Sequence, residues 1–127
     1  MDAAQALADL TEISSQVEAA VLFDASGAIA ASTLPDEEAS ALAHAAGALL
    51  DRAVSLVEGH VVTQVEASTP SGSVFVVRDG ERRIAATTGA DPTTGLVFYD
   101  LKSCLRDSGD APKPRRRRAP KKAADET

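Results

Sequence analysis

Residues 36–58 restrict the fold of this chain more than any other segment, because their apolar side chains cover too much of a helix for one packing surface. At about 100° per residue, Leu42, Ala46, Leu49, Ala53 and Leu56 make one apolar stripe. Ala43, Gly47, Leu50, Val54 and Val57 make a second stripe beside it. Together they span roughly 180°, whereas a helix lying on a single sheet needs a stripe only somewhat over about 100° wide. One stripe covers a sheet. The other needs a partner of its own, since an apolar ridge of this length is a liability on a monomer. Ala43 and Gly47 are small enough to admit another helix, and a two-fold dimer that pairs the helix with its mate is the economical answer. Burial of the second stripe under another helix of the same chain is the alternative. The remaining arc is polar: Glu37, His44, Asp51, Ser55 and Glu58, with Arg52 at its margin.

The neighbouring segments supply the sheet. Ala3, Ala6, Leu7, Leu10 and Ile13 recur at helical spacing over residues 3–16. Two short runs, residues 17–24 and 28–33, flank a turn containing Gly27 and predict a β-hairpin. Pro35 and the acidic residues Asp36, Glu37 and Glu38 mark the start of the central helix, and Gly59 its stop. Residues 61–69 are rich in β-branched side chains and predict a strand. Residues 73–78 and 82–88 are two more strands, joined at Asp79-Gly80 by the signature of a type I′ turn. Asp91-Pro92 reads as an N-cap and first helical residue of a last helix running to about residue 107, burying Val97, Leu101, Cys104 and Leu105. The order is α-β-β-α-β-β-β-α.

Length and composition bound the function. A chain of 127 residues supports one domain with a short appendage. Four aromatic residues, Phe23, Phe75, Phe98 and Tyr99, leave no platform on which bases or flat cofactors could stack. The single cysteine, Cys104, excludes an internal disulfide and any multi-cysteine zinc site, and fits a reducing, cytoplasmic compartment. No apolar run approaches the roughly 20 residues of a membrane span, and with no basic region after Met1-Asp2 a secretory signal is not expected. No G-x-x-x-x-G-K-[ST] phosphate loop is present, so the chain is not itself a nucleotide hydrolase of that kind. His44 falls on the polar arc and His60 follows Gly59, neither beside a constellation of nucleophile, acid or base, and both read as surface histidines. No catalytic residue, metal ligand or cofactor is expected.

The net charge of −6 hides a division. Residues 1–110 hold 6 Lys and Arg against 17 Asp and Glu, a net −11, and residues 111–127 hold 7 against 2, a net +5. The basic stretch comprises Lys113, Arg115, Arg116, Arg117, Arg118, Lys121 and Lys122, interrupted by proline and without apolar period, so residues 110–127 are expected to be a disordered tail. Such a stretch can neutralise nucleic-acid phosphates, lie on an anionic membrane, contact the acidic body of its own dimer, or simply solubilise.

The element order, the segment Val21-Leu22-Phe23-Asp24 before a Ser26-Gly27 turn, the Ala/Leu-rich central helix, and Gly95-Leu96-Val97-Phe98-Tyr99-Asp100-Leu101 resemble the roadblock/dynein light chain family, in particular its bacterial branch of Ras-like GTPase regulators. The resemblance covers about residues 3–107 and rests on apolar and turn patterns, with no catalytic signature. It implies an α/β (α+β) fold of profilin-like architecture: a five-stranded antiparallel sheet, the central helix on one face and the terminal helices on the other. It implies a homodimer whose central helices pack together and whose following strand, with Val61, Thr63 and Val65, pairs with its mate. It implies a roadblock-type dimerisation and GTPase-binding domain over residues 1–109, acting on a Ras-like small GTPase through its helical surface. Arg52 has the chemistry of an arginine finger, but the family acts by repositioning the GTPase's own switch loops, and the simpler reading is a solvated helix charge. Three functions remain open: a non-enzymatic GTPase regulator, a structural adaptor without effect on nucleotide chemistry, and a tail-driven binder of nucleic acid or membrane.

Overall fold

The structure is a computed structural model that describes residues 2–109. Met1 and residues 110–127, with the whole basic stretch, lie outside the described residues. The elements are α1 (Ala3–Ile13), β1 (Val17–Asp24), β2 (Ile29–Ser32), α2 (Asp36–Leu56), β3 (Gln64–Thr69), β4 (Gly72–Asp79), β5 (Arg82–Thr88) and α3 (Thr94–Gly109). The strands form one antiparallel sheet in the order β2-β1-β5-β4-β3.

Period-two alternation divides the sheet between two cores. Ala20, Leu22, Phe75, Val77, Ile84 and Ala86 face α1 and α3, which contribute Ala6, Leu7, Leu10, Val97, Leu101, Cys104 and Leu105. Phe98 of α3 meets Phe75 edge to face, with ring centroids 5.0 Å apart and planes at 77°. Val21, Phe23, Val76 and Ala85 face the other way, onto Ala39, Ala43 and Ala46 of α2. The middle runs of the central strands, residues 20–23, 75–77 and 84–86, are therefore apolar without alternation because both of their faces are covered, and helices occupy both sides as the resemblance implied.

The central helix divides differently from the two stripes read in the sequence. Its sheet-facing row is Ala39, Ala43, Ala46 and Leu50, all buried, with Leu50 at 0% exposure. The row takes members from both predicted stripes, so Ala43 and Leu50, expected on a dimer interface, lie instead against the sheet of their own chain. The apolar surplus sits to one side, where Leu42 and Leu49 are half-buried beside Val74 of β4. It continues toward the C-terminal end of the helix in Leu56, at 82% exposure, while Val54 is exposed on the other flank, on the side of Gly47.

Three boundaries also differ. The β4–β5 loop is Gly80-Glu81, since Asp79 pairs with Arg82, and Gly80 alone carries positive φ, at 66°. That places the glycine at the first central position, the requirement of a type II′ turn and not of type I′. Asp91 is no helix cap: it takes a left-handed backbone at φ 54°, and the first helical bond of α3 runs from Val97 N–H to Thr93 O at 3.0 Å. Strand β3 begins at Gln64, leaving Val61 exposed ahead of it.

The two sheet edges are unlike. β3 carries six residues in unbroken register with β4, and its outer side has no strand beside it. β2 is four residues long, its pairing with β1 slips between Leu22 and Phe23, and it begins with the exposed Ile29.

Truncation of the buried anchor, Leu50→Ala, should lower unfolding free energy by about 2–5 kcal/mol in urea titrations. Burial pushes the Cys104 thiol up to about 12 from 9.0, aided by the charges of Asp107 and Asp9. The neutral thiol is thus the form that folding favours: its contribution is full below pH 9.0 and fades as pH rises through about 12. Alkylation at neutral pH should be slow in the native chain and fast in denaturant.

Candidate functional site on the outer face of α2

The first turn of α2 carries Asp36, Glu37 and Glu38, which complement the positive end of the helix dipole, and Pro35 precedes it. With the alanine row seated on the sheet, the 100° step turns His44, Gly47, Ala48 and Asp51 toward the β1–β2 turn. There they form an open cleft of about 240 Å³ with Asp24, Ser26 and Arg83. The turn is fixed by Asp24, whose carboxylate accepts from Ser26 N–H at 2.9 Å, Ser26 Oγ at 2.6 Å and Ala28 N–H at 3.0 Å. These bonds, that from the Ser26 hydroxyl foremost, hold the carboxyl below its usual pKa and keep it charged.

Arg83 is the member the sequence reading missed. It pairs with Phe23 across the β1–β5 ladder, and so shares the face of Phe23 and Ala85 that receives α2. Strand alternation could have found it, since Arg83 and Ala85 are two apart. Its Nε is buried with no hydrogen-bond partner, and the single ion pair among the described residues is Arg82 to Asp79, at 3.1 Å. A half-buried guanidinium beside the helix, with donors left over, is suited to accept a carboxylate or carbonyl oxygen from outside.

Of the six polar-arc residues, the structure brings His44 and Asp51 together in this cleft. Glu37 lies at the far end of the helix, and Glu58 follows its C-terminus, so an α-helix of 21 residues, roughly 30 Å long, separates them. Arg52 and Ser55 are exposed, with the Ser55 hydroxyl donating to Arg52 O at 2.7 Å. His60 is exposed in the loop, its N–H donating to Val57 O.

The opposite flank of α2 is apolar and turns toward β4 and β3. Val65 is half-buried and pairs with Val76, so it lies on the α2 face of β3; Thr63, just before the strand, accepts from Arg78 N–H at 2.9 Å. Among the described residues no three His, Cys, Asp or Glu side chains could share a metal ion, and no helix is long and apolar enough to cross a membrane.

No protein-family model matches the sequence, and no curated protein matches it. Solved structures do. A Roadblock/LC7 domain from Streptomyces avermitilis superposes with a TM-score of 0.74 at 20% identity, covering 84% of this chain and 94% of that one. The chain has the roadblock fold. The gliding protein MglB from Thermus thermophilus shares this roadblock architecture with a TM-score of 0.60 at 18% identity, over 84% of this chain and 90% of its own. A structure of MglB in a tetrameric arrangement gives 0.61 at 17%, over 82% and 85%. The roadblock resemblance read from residues 3–107 thus stands at the level of fold.

Gly47 faces Arg83, yet a Cβ built on it would find nothing nearer than Arg83 Nη1 at 3.9 Å, an ordinary contact. Gly47→Ala should therefore stabilise the chain by about 0.5–1 kcal/mol through helix propensity. Thermal unfolding checks this; a loss of stability would mean that Arg83 needs the space beside Gly47.

Proposed function

We propose that the chain is a non-enzymatic, homodimeric roadblock-type regulator or scaffold that binds a Ras-like small GTPase and modulates its nucleotide hydrolysis. The observation that carries this reading is the division of α2 into an apolar flank beside a free strand edge and a charged flank open to solvent. The apolar flank carries Leu42, Leu49 and Leu56, Val57 and Val61 are exposed just after the helix, and the outer side of β3 offers a row of backbone donors and acceptors to an identical strand. Both are satisfied at once by a two-fold copy, which pairs β3 with β3 and lays helix against helix. The tetrameric arrangement of one MglB structure supports self-association of this fold.

The charged flank is the surface offered to the GTPase. A regulator acts only by binding one conformation of its partner better than another, and this surface carries Asp51 and His44 around Arg83. The GTPase association of the family enters through the resemblance, and the acidic body favours a partner face bearing Lys or Arg. Arg52 is exposed and contributes ordinary surface charge. The structural adaptor is the alternative of the same geometry: the same dimer and surface, with equal affinity for both nucleotide states.

Co-purification with candidate small GTPases loaded with GDP or a GTP analogue tests the reading. Preference for one nucleotide state supports regulation, equal capture of both leaves scaffolding, and capture of neither overturns the proposal. Leu56→Glu should yield a folded monomer by light scattering, whereas Leu50→Glu should unfold the chain. Joint reversal of Asp51 and Glu58 to lysine should weaken GTPase binding and leave the dimer intact. Arg52→Ala should change stimulated turnover little; a fall of about a thousandfold would restore the arginine finger. The purified protein alone should hydrolyse neither GTP nor ATP.

A further inference from the structure

On the face opposite α2, helices α1 and α3 enclose a second cleft of about 230 Å³, lined by Asp9, Asp100, Asp107, Cys104, Ile13 and Tyr99 among others. Three carboxylates line it, and no Lys or Arg is among the lining residues. Asp9 accepts from the Gln5 amide at 2.9 Å, and the Cys104 thiol is occupied with Ala6 O. Asp100 is different. It is only 8% exposed, and among the described residues no cation lies within ion-pair distance and no side chain or backbone group hydrogen-bonds to its carboxylate. A carboxylate at that depth is costly unless a cation or donor reaches it. The remaining cations of α3, Lys102 and Arg106, are exposed and do not line the cleft. At its rim stand two apolar side chains with no cover, Ile13 at 72% and Tyr99 at 66% exposure.

An acidic cleft with apolar shoulders fits a long cationic side chain, whose methylenes lie on the shoulders while its head pairs below. The carboxylates do not form a metal cluster with neighbouring ligands. The chain itself supplies such side chains close by. Residues 111–127 carry seven Lys and Arg, and they follow directly on α3, whose last turn holds Asp107. Six residues from Gly109 reach Arg115, a span of at most roughly 20 Å. From Asp107 back to Tyr99 is about 12 Å along the helix. The basic stretch can therefore reach every part of the cleft.

We propose that the α1–α3 cleft is the docking site of the chain's own C-terminal basic segment, one arginine or lysine of which pairs with Asp100 while others face Asp107 and Asp9. Docking there covers Ile13 and Tyr99 and leaves the outer face of α2 untouched, so the inference does not depend on the GTPase reading. It also assigns the segment a place other than nucleic acid or membrane while it is docked.

Tyr99 provides the measurement, because it is the only tyrosine and the chain has no tryptophan. Acrylamide quenching of its fluorescence in the full chain should be about twofold weaker at low salt than at about 1 M salt, where the Debye length falls to about 3 Å. Full-length variants with Arg115, Arg116, Arg117 and Arg118 replaced by serine, or with Asp100→Asn and Asp107→Asn, should show the unprotected value at low salt. A carbodiimide should join Lys113, Lys121 or Lys122 of the wild type to Asp9, Asp100 or Asp107 within one chain, a readout independent of any variant's folding. Equal quenching of the wild type and the serine variant would overturn the proposal, as would cross-links directed only to α2 or only between chains. Protection lost in the serine variant but retained in the asparagine variant would overturn the pairing with Asp100. An unprotected wild-type Tyr99 that becomes protected when an oligo-arginine peptide is added would show the cleft takes a foreign cation and not its own segment.

Discussion

The alanine row of α2 sets the arrangement of everything else on its face of the sheet. Ala39, Ala43 and Ala46 present so little side chain that the helix seats closely on Val21, Phe23, Val76 and Ala85, and only Leu50 drives deep into the interior. A close seat is won by small residues, which leaves the larger ones without room beneath the helix. Leu42 and Leu49 are displaced to the flank, and Leu56 beyond the sheet altogether. On the other flank, the close approach carries His44 and Asp51 down toward Arg83 and the β1–β2 turn. Interior packing thus decides both where the helix is adhesive and where it is charged.

Much of this was legible before any coordinates. The element order follows from turn residues and from the change between helical and alternating apolar spacing, and both signals are local. The surplus of apolar surface on α2 was legible too, as a total. Its division was not, because a wheel built from apolar residues alone cannot distinguish a row chosen for smallness from a row chosen for bulk. Ala39 stood outside both stripes, yet it lies in the buried row. Asp91 failed for a similar reason: Asp before Pro is a good cap in isolation, and only the path from β5 into α3 puts it at positive φ. Arg83 was visible by alternation and overlooked because charge on a strand reads as solvent-facing. The burial of Asp100 could not be read at all, since it depends on how α1 lies against α3.

The two faces of the sheet divide two kinds of chemistry. The α2 face joins apolar area to a charged cleft, the combination a protein surface uses to grip another protein. The α1–α3 face joins three carboxylates, none of them ion-paired among the described residues, to exposed Ile13 and Tyr99, a combination suited to a flexible cationic strand. A five-stranded sheet lies between them, with Ile84, Ala85 and Ala86 of β5 fully enclosed at its middle.

The inequality of the sheet's edges bears on how large an assembly of this chain can grow. A sheet with two receptive margins is an open polymer unit, able to add copies indefinitely. Here one margin, β3, is straight and receptive. The other is short, out of step at Leu22 and Phe23, and bent away from a regular ladder. In the proposed dimer, strand addition would therefore stop after a single event, because joining two β3 margins leaves only the short, irregular β2 edges facing outward.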